Sequence, residues 1–264
     1  MIKKLLFIII IILICSCENE AEKALILNIE PFSFMGGSTC SSNIESTNIT
    51  DAWVTVNGNF MGAFEIPSSV PLIGLSEITD LRISPGIKEN GIPTTRIIYP
   101  FYEIFEQFET DFNKNITIHP NTKFKETVNC EFYSLGNFEG SGDGLLEGAK
   151  NNSSVISNTT NPNEVFQGEK SCKISLNSSS DTLYVITNEF SFNDFTILPT
   201  NVFLELNFKS SISFEYGLLN YILNDSIEFE IGGINKSDEW KKIYLNLSNQ
   251  IVPYMNSFVF KIFF

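Results

Sequence analysis

The strongest constraint on the fold is a strict two-residue alternation of side chains in three segments near the C-terminus. Val202, Leu204, Leu206 and Phe208 share one side of an extended chain, and Phe203, Glu205, Asn207 and Lys209 share the other. Ile243, Leu245 and Leu247 alternate with Tyr244 and Asn246. Phe258, Phe260, Ile262 and Phe264 alternate with Val259, Lys261 and Phe263. Successive side chains of a strand point to opposite faces, so only extended chain puts each set on one side. One apolar and one polar face predicts antiparallel sheets packed on one side and wetted on the other. The 24 Phe residues, the abundance of Ile, Ser, Thr and Asn and the scarcity of Ala favour strands over helices. The expected class is all-β, built as two β-sandwich domains.

The N-terminal half reads as a meander of short strands. Ala24–Ile29 is the first candidate. Trp53-Val54-Thr55-Val56 runs into Asn57-Gly58, a two-residue hairpin signal because both positions tolerate positive φ. Phe60–Ile66 returns, with Phe60, Phe64 and Ile66 expected on one side and Pro67 as the stop. Leu81-Arg82-Ile83 alternates, and Ser84-Pro85-Gly86 is expected to end that strand. Ile97–Phe108 is rich in aromatic and β-branched residues, with Pro100 at a bend or edge, and Ile116-Thr117-Ile118 closes the unit. The boundaries that follow are 24–121 for the first domain, a polar linker at 122–128 and 129–264 for the second domain.

The frame Val54-x-Val56-Asn57-Gly58, Gly62, Pro67, Leu81-x-Ile83 and Gly86 resembles a PEGA-type, immunoglobulin-like small sandwich, although Pro67–Thr79 and Pro85–Arg96 are longer than in a minimal repeat. That resemblance implies a spacer or display module rather than a catalyst. Asn129–Phe264 resembles the galactose-binding-like jelly roll of carbohydrate-binding modules. The similarity rests on the order of a Phe138-Glu139-Gly140 start, Gly168–Leu176, Glu239–Leu247 and a final Phe-rich strand. Such modules often hold calcium near the first and last strands. Glu139 and Asp143 supply acids at one end but Ser257–Phe264 supplies none at the other, so no calcium and no other cofactor is expected.

The first 17 residues decide location. Lys3 and Lys4 precede the apolar run Leu5–Ile14, too short for a span that needs roughly 20 residues, and Ile14-Cys15-Ser16-Cys17 follows. This resembles the bacterial lipoprotein signal, which implies cleavage of residues 1–16 and acylation of Cys17. A 17–23 tether, Cys17 through Glu18-Asn19-Glu20-Ala21-Glu22-Lys23, resembles the surface-export signal of Bacteroidetes lipoproteins. The expected location is the outer membrane, lipid-anchored at the cell surface, with a periplasm-facing anchor as the alternative. Losing Lys3 and Lys4 leaves 15 basic and 31 acidic residues, a charge of −16 in place of −14. So acidic a chain is not expected to bind nucleic acid, which requires a basic face. Attachment to the membrane then falls to the lipid, at roughly 0.8 kcal/mol per buried CH₂.

Chemistry-bearing residues are sparse. With Cys17 acylated, Cys40, Cys130 and Cys172 allow at most one disulfide; the pair is open, and Cys40–Cys130 is the candidate. Cys172 alternates with Ile174 and Leu176 and is expected to be a buried thiol. His119, the only histidine, precedes Pro120 and reads as a solvated loop residue. There is no nucleophile elbow and no phosphate or dinucleotide fingerprint. The chain is therefore read as no enzyme, a hydrolase with paired carboxylates being the lesser alternative. Trp53 and Trp240 are expected in the core, with sugar stacking as the alternative. Tyr99, Phe101, Tyr102 and Phe105 either bury against a facing sheet or form a partner patch. Asp181-Thr182-Leu183 and Asp225-Ser226-Ile227 resemble the O-glycosylation acceptor of exported Bacteroidetes proteins, making Thr182 and Ser226 candidates. The expected function is a non-catalytic module that binds a glycan; the alternative is a structural subunit contacting an outer-membrane protein.

Overall fold

A computed structural model describes residues 25–36, 46–74, 78–108, 115–126, 136, 138–140, 145–150, 154–179, 183–192, 200–222, 225–255 and 259–264. The signal 1–16, Cys17 and the 17–23 tether, Cys40, Cys130, Asp143 and Thr182 lie outside the described residues. Within them the fold is all-β, with one short helix. No helix among the described residues is long and apolar enough to cross a membrane.

The N-terminal strands are β1 (Leu25–Ile29), β2 (Ser33–Phe34), β3 (Asp51–Val56), β4 (Asn59–Glu65), β5 (Ser68–Leu72), β6 (Asp80–Lys88), β7 (Arg96–Ile98), β8 (Phe105–Phe108), β9 (Ile116–Ile118) and β10 (Asn121–Thr122). The hairpin β3–β4 turns on Asn57 and Gly58, both at positive φ as the sequence predicts. Asn57 also fixes the start of β6, because its Oδ1 accepts from the Thr79 and Asp80 amides at 2.9 and 3.2 Å. One sheet runs β4-β3-β6-β7 with β8 also on β6; the other runs β5-β1-β9. Leu27, Ile29, Val70, Leu72 and Ile118 from the second sheet pack on Ala52, Val54, Val56, Leu81 and Ile83 from the first.

Three expectations fail here for identifiable reasons. Ser84-Pro85-Gly86 does not end a strand: β6 continues to Lys88. The Pro85 carbonyl accepts from the Tyr99 amide, so the side of Pro85 that lacks a donor faces the gap where the neighbour changes from β8 to β7. Phe60 and Phe64 do not share a face. A bulge between Val54 and Thr55 places Phe60 opposite Thr55 and Phe64 opposite Ala52, and Gly62 at φ +145 sits in it. Thr122 and Phe124, expected in a polar linker, are buried; Thr122 pairs in β10 and Phe124 bridges to Tyr102.

The C-terminal strands are β11 (Leu145–Lys150), β12 (Val155–Thr159), β13 (Ser171–Ser175), β14 (Leu183–Thr187), β15 (Phe203–Ser210), β16 (Phe214–Ile222), β17 (Asp225–Ile234), β18 (Ser237–Asn246) and β19 (Val259–Phe263). The helix α1 (Ser248–Ile251) lies between the last two. A sheet in the order β11-β14-β19-β16-β17 packs against the β15–β18 ribbon. The alternating segments supply the core as expected: Leu204, Leu206 and Phe208 meet Ile243 and Leu245, and across from them lie Leu218, Phe260 and Ile262. On β13 the expected pattern is reversed. Ile174 and Leu176 are exposed, Cys172 is half-buried, and the buried residue is Ser171, whose Oγ accepts from the Phe166 amide.

The polar face of β15–β18 is not the wetted face that alternation predicts. It closes on the N-terminal half. Tyr99 and Tyr102, with Ile87 and Phe124, form a third buried cluster with Tyr244 and Phe203. The β6–β7 turn adds backbone contact, the Asn90 amide donating to the Tyr244 carbonyl at 2.8 Å.

Candidate functional site

Two surfaces gather the chemistry-bearing side chains. The first is the buried joint. Tyr99 Oη donates to Glu205 Oε1 at 2.6 Å, and Glu205 Oε2 lies 2.6 Å from Lys242 Nζ, as an ion pair rather than an aligned hydrogen bond. Lys242 Nζ donates to the Ser46 carbonyl at 2.6 Å, and the Asn48 amide donates to Tyr244 Oη at 2.9 Å. Tyr102 Oη and Tyr244 Oη are 3.1 Å apart. Burial, followed by the Glu205 charge, holds the Tyr99, Tyr102 and Tyr244 phenols far above their ordinary range, so all three stay protonated. Every one of these groups is engaged within the chain. The joint holds two halves together. The aromatic cluster of the 97–108 segment is accordingly spent on it at Tyr99 and Tyr102, while Phe105 packs on the N-terminal core and Phe101 lies edge-on to Tyr99.

The second surface is the outer face of the β4-β3-β6-β7 sheet. In β3 the inward set is Ala52, Val54 and Val56, which leaves Asp51, Trp53 and Thr55 on the other side. Register then sets their neighbours: Trp53 lies between Ala63 and Ser84, Thr55 between Phe60 and Arg82, and Asp51 between Glu65 and Gly86. Trp53 is thus not a core residue; it is half-buried and stacks on Phe60, with ring centroids 5.5 Å apart and planes 26° apart. Phe60 is 58% exposed. Gly86 makes the arrangement possible. A Cβ there would sit 2.8 Å from Asp51 Cβ and 2.9 Å from Trp53 Cδ1 and Nε1, so only the bare backbone lets the indole lie down on the sheet. The indole Nε1 is buried without an acceptor among the described residues.

Charged groups flank the ring pair. The buried Asp51 carboxylate accepts from Thr50 Oγ1 at 2.6 Å and pairs with Arg96 Nη1 at 3.3 Å. Arg96 Nη2 and Lys88 Nζ both reach Glu65, at 3.3 and 3.0 Å. The Lys88 hydrogen bond, helped by its charge and that of Arg96, holds Glu65 below the usual carboxylate range. An exposed ring pair with hydrogen-bonding groups on one flank can take the C–H face of a small cyclic molecule and orient its polar rim.

The other predicted residues are scattered. Trp240 is half-buried against Phe166 at 5.1 Å, on the β18 face that carries Lys242 and Tyr244. His119 is exposed between Ile118 and Pro120. Glu139 is exposed and accepts from the Glu169 and Lys170 amides. Ser226 is exposed on β17. Among the described residues no three His, Cys, Asp or Glu side chains come together as metal ligands. A shallow polar groove between Asn28, Glu30, Ser69 and Thr117 lies on the other sheet, away from both surfaces. The residues the sequence reading missed are Phe60 and Gly86. Gly62 was the available signal for Phe60, since a glycine inside a strand pattern marks a bulge that resets the faces.

No protein family matches this chain, and neither does any curated protein or solved structure.

Proposed function

We propose that this chain is a lipid-anchored lipoprotein of the cell envelope, acting as a non-catalytic module that binds glycans through the Trp53–Phe60 ring pair. The observation that carries the reading is that stack, with Phe60 exposed on a half-buried Trp53 and the Asp51–Arg96–Glu65–Lys88 network beside it. In this reading the N-terminal part is an immunoglobulin- or PEGA-like display body and the C-terminal part a galactose-binding-like jelly roll. In this reading the anchor is diacylglyceryl-modified Cys17, and the body stands on the outer face of the outer membrane.

Glycan-array binding by the full chain tests the function. The reading requires a glycan that binds the parent, binds Trp53→Ala at least tenfold more weakly and is unaffected by Trp240→Ala; binding indifferent to Trp53 defeats it. The anchor is tested separately by growth on radiolabelled fatty acid, where Cys17→Ala must lose the label.

A second reading, a structural subunit of an outer-membrane complex, draws on Ile98 and Phe108. Both are exposed (42% and 54%) on the same outer face as Phe60, by their register opposite Gly86 and Asp80. A partner that co-purifies in stoichiometric amount and is released by Phe108→Ser, with no glycan bound, favours it over the first.

A further inference from the structure

The C-terminal sheet ends on β17, a ten-residue strand paired with β16 on one side. On its other side no backbone hydrogen bond is made among the described residues. Proteins blunt such edges with charged side chains, Lys above all, with Pro, bulges or a covering loop. From Ser226 to Glu230 this strand has no Lys, Pro or bulge, and its only charges are Glu228 and Glu230, which turn away like-charged strands and leave the edge open to a basic one; the bulge comes at Ile231, where Tyr216 and Gly217 pair with Gly232 and Glu230.

The side chains of this stretch are sorted by face. Phe229 lies opposite the fully buried Leu218 and is only partly covered by the core, and Ile227, on the same face, is 48% exposed. Their burial stops because the sheet stops. On the opposite face Ser226, Glu228 and Glu230 are exposed, and neither glutamate has a basic partner within ion-pair reach among the described residues. Lys261 of β19, on the same face, is taken by Glu189 at 3.1 Å and lies over the Tyr221 ring.

We propose that the Ser226–Glu230 edge accepts an additional strand from a partner protein, an extended segment whose alternate residues are Lys or Arg and whose intervening residues are apolar. The backbone ladder supplies affinity. The two glutamates select the basic residues, and Ile227 and Phe229 bury the apolar ones, which is how alternating pockets specify an added strand. This site lies on a different sheet from the Trp53–Phe60 pair and stands whether or not that pair binds sugar.

The probe is a capped heptapeptide of alternating lysine and valine, with its glutamate–valine counterpart, added to the full chain. Hydrogen exchange and fluorescence anisotropy are the readouts. The lysine peptide is expected to slow exchange of amides within 226–230, and the glutamate peptide is not. Glu228→Lys with Glu230→Lys, both at exposed positions, should weaken the lysine peptide roughly tenfold, two surface charge contacts' worth, and should recruit the glutamate peptide. Asp238→Lys with Glu239→Lys, on exposed positions of β18, changes net charge equally and should leave the affinity within about twofold. Protection that appears elsewhere or not at all overturns the proposal. So does an equal loss in the two charge-reversed variants, which would mark the binding as general attraction to an acidic protein.

Discussion

Two faces of this molecule carry nearly the same ingredients, acid–base pairs beside aromatic rings, and meet opposite fates. On the β15–β18 ribbon Glu205, Lys242 and Tyr244 are sealed under Tyr99 and Tyr102, and the lysine side chain is 3% exposed. On the outer face of β3 and β4 the Trp53–Phe60 pair and the Arg96–Glu65–Lys88 pairs face water. Local alternation is identical in the two cases. What differs is whether another sheet arrives to cover the polar side. Desolvation turns the same chemistry into a rigid joint in one place, and its absence leaves that chemistry open to water in the other.

The contrast is broken most directly at Glu205. Glu205→Ala leaves the Lys242 ammonium buried without its counter-charge and frees the Tyr99 hydroxyl, which should cost about 3–5 kcal/mol. Lys242→Met should cost a similar amount, whereas Glu205→Leu combined with Lys242→Met should recover most of the loss, because an apolar pair needs no counter-charge. Urea unfolding of the four proteins measures this. A loss under about 1 kcal/mol for either single variant would mean that water reaches the joint as freely as it reaches the outer face.

Next in size is the alkaline limit. Burial raises the phenols of Tyr99, Tyr102 and Tyr244 well above the ordinary value near 10. Between that value and the folded one, the native state keeps protons that the unfolded chain has lost. The stability these residues contribute is therefore complete below about pH 10 and falls as pH rises beyond it. Absorbance of phenolate should show the three silent among the eight tyrosines until the protein unfolds. Tyr244→Phe, which leaves the Asn48 amide without its acceptor, should cost about 1–3 kcal/mol at neutral pH.

These outcomes also bear on what could be read from the chain. The strands near the C-terminus were legible because a two-residue period has one structural meaning, and Leu204, Leu206, Ile243, Leu245, Phe260 and Ile262 all face the core. The Asn57-Gly58 turn was legible because its backbone needs are local. The fate of Glu205 and Lys242 was not. Their burial depends on Tyr99 and Tyr102 more than a hundred residues away (106 between Tyr99 and Glu205), and no window of sequence contains both. Pro85 misled because its tolerance depends on which neighbour ends beside it. At the candidate site the two tryptophans were visible as residue types, but the face of Trp53 required the register with β6, and that of Phe60 required the bulge.

Gly86→Ala probes the outer face through its support. The added methyl meets Asp51 Cβ at 2.8 Å and the Trp53 ring at 2.9 Å, so β3 and β6 must part slightly as well as the indole lift from the sheet. A stability loss of about 1–3 kcal/mol is expected, the usual cost of overpacking and smaller than at the joint. Tryptophan fluorescence should shift, and any glycan affinity should fall. An unchanged spectrum would show that the ring is not seated as described.

Phe60→Ala should have the smallest effect on the fold and sharpens the comparison furthest. The ring is 58% exposed and stacks on Trp53, so its removal should change stability by no more than about 0.5 kcal/mol. If the outer face exists to hold a ligand, the same change should weaken glycan binding at least as much as Trp53→Ala does, because a stacked sugar loses half its platform. Tyr102→Phe at the joint should do the reverse, lowering stability while leaving binding alone. Parallel unfolding and binding titrations on the two variants decide it: equal movement of both quantities in both proteins would erase the distinction between a face that holds the chain together and a face that meets something else.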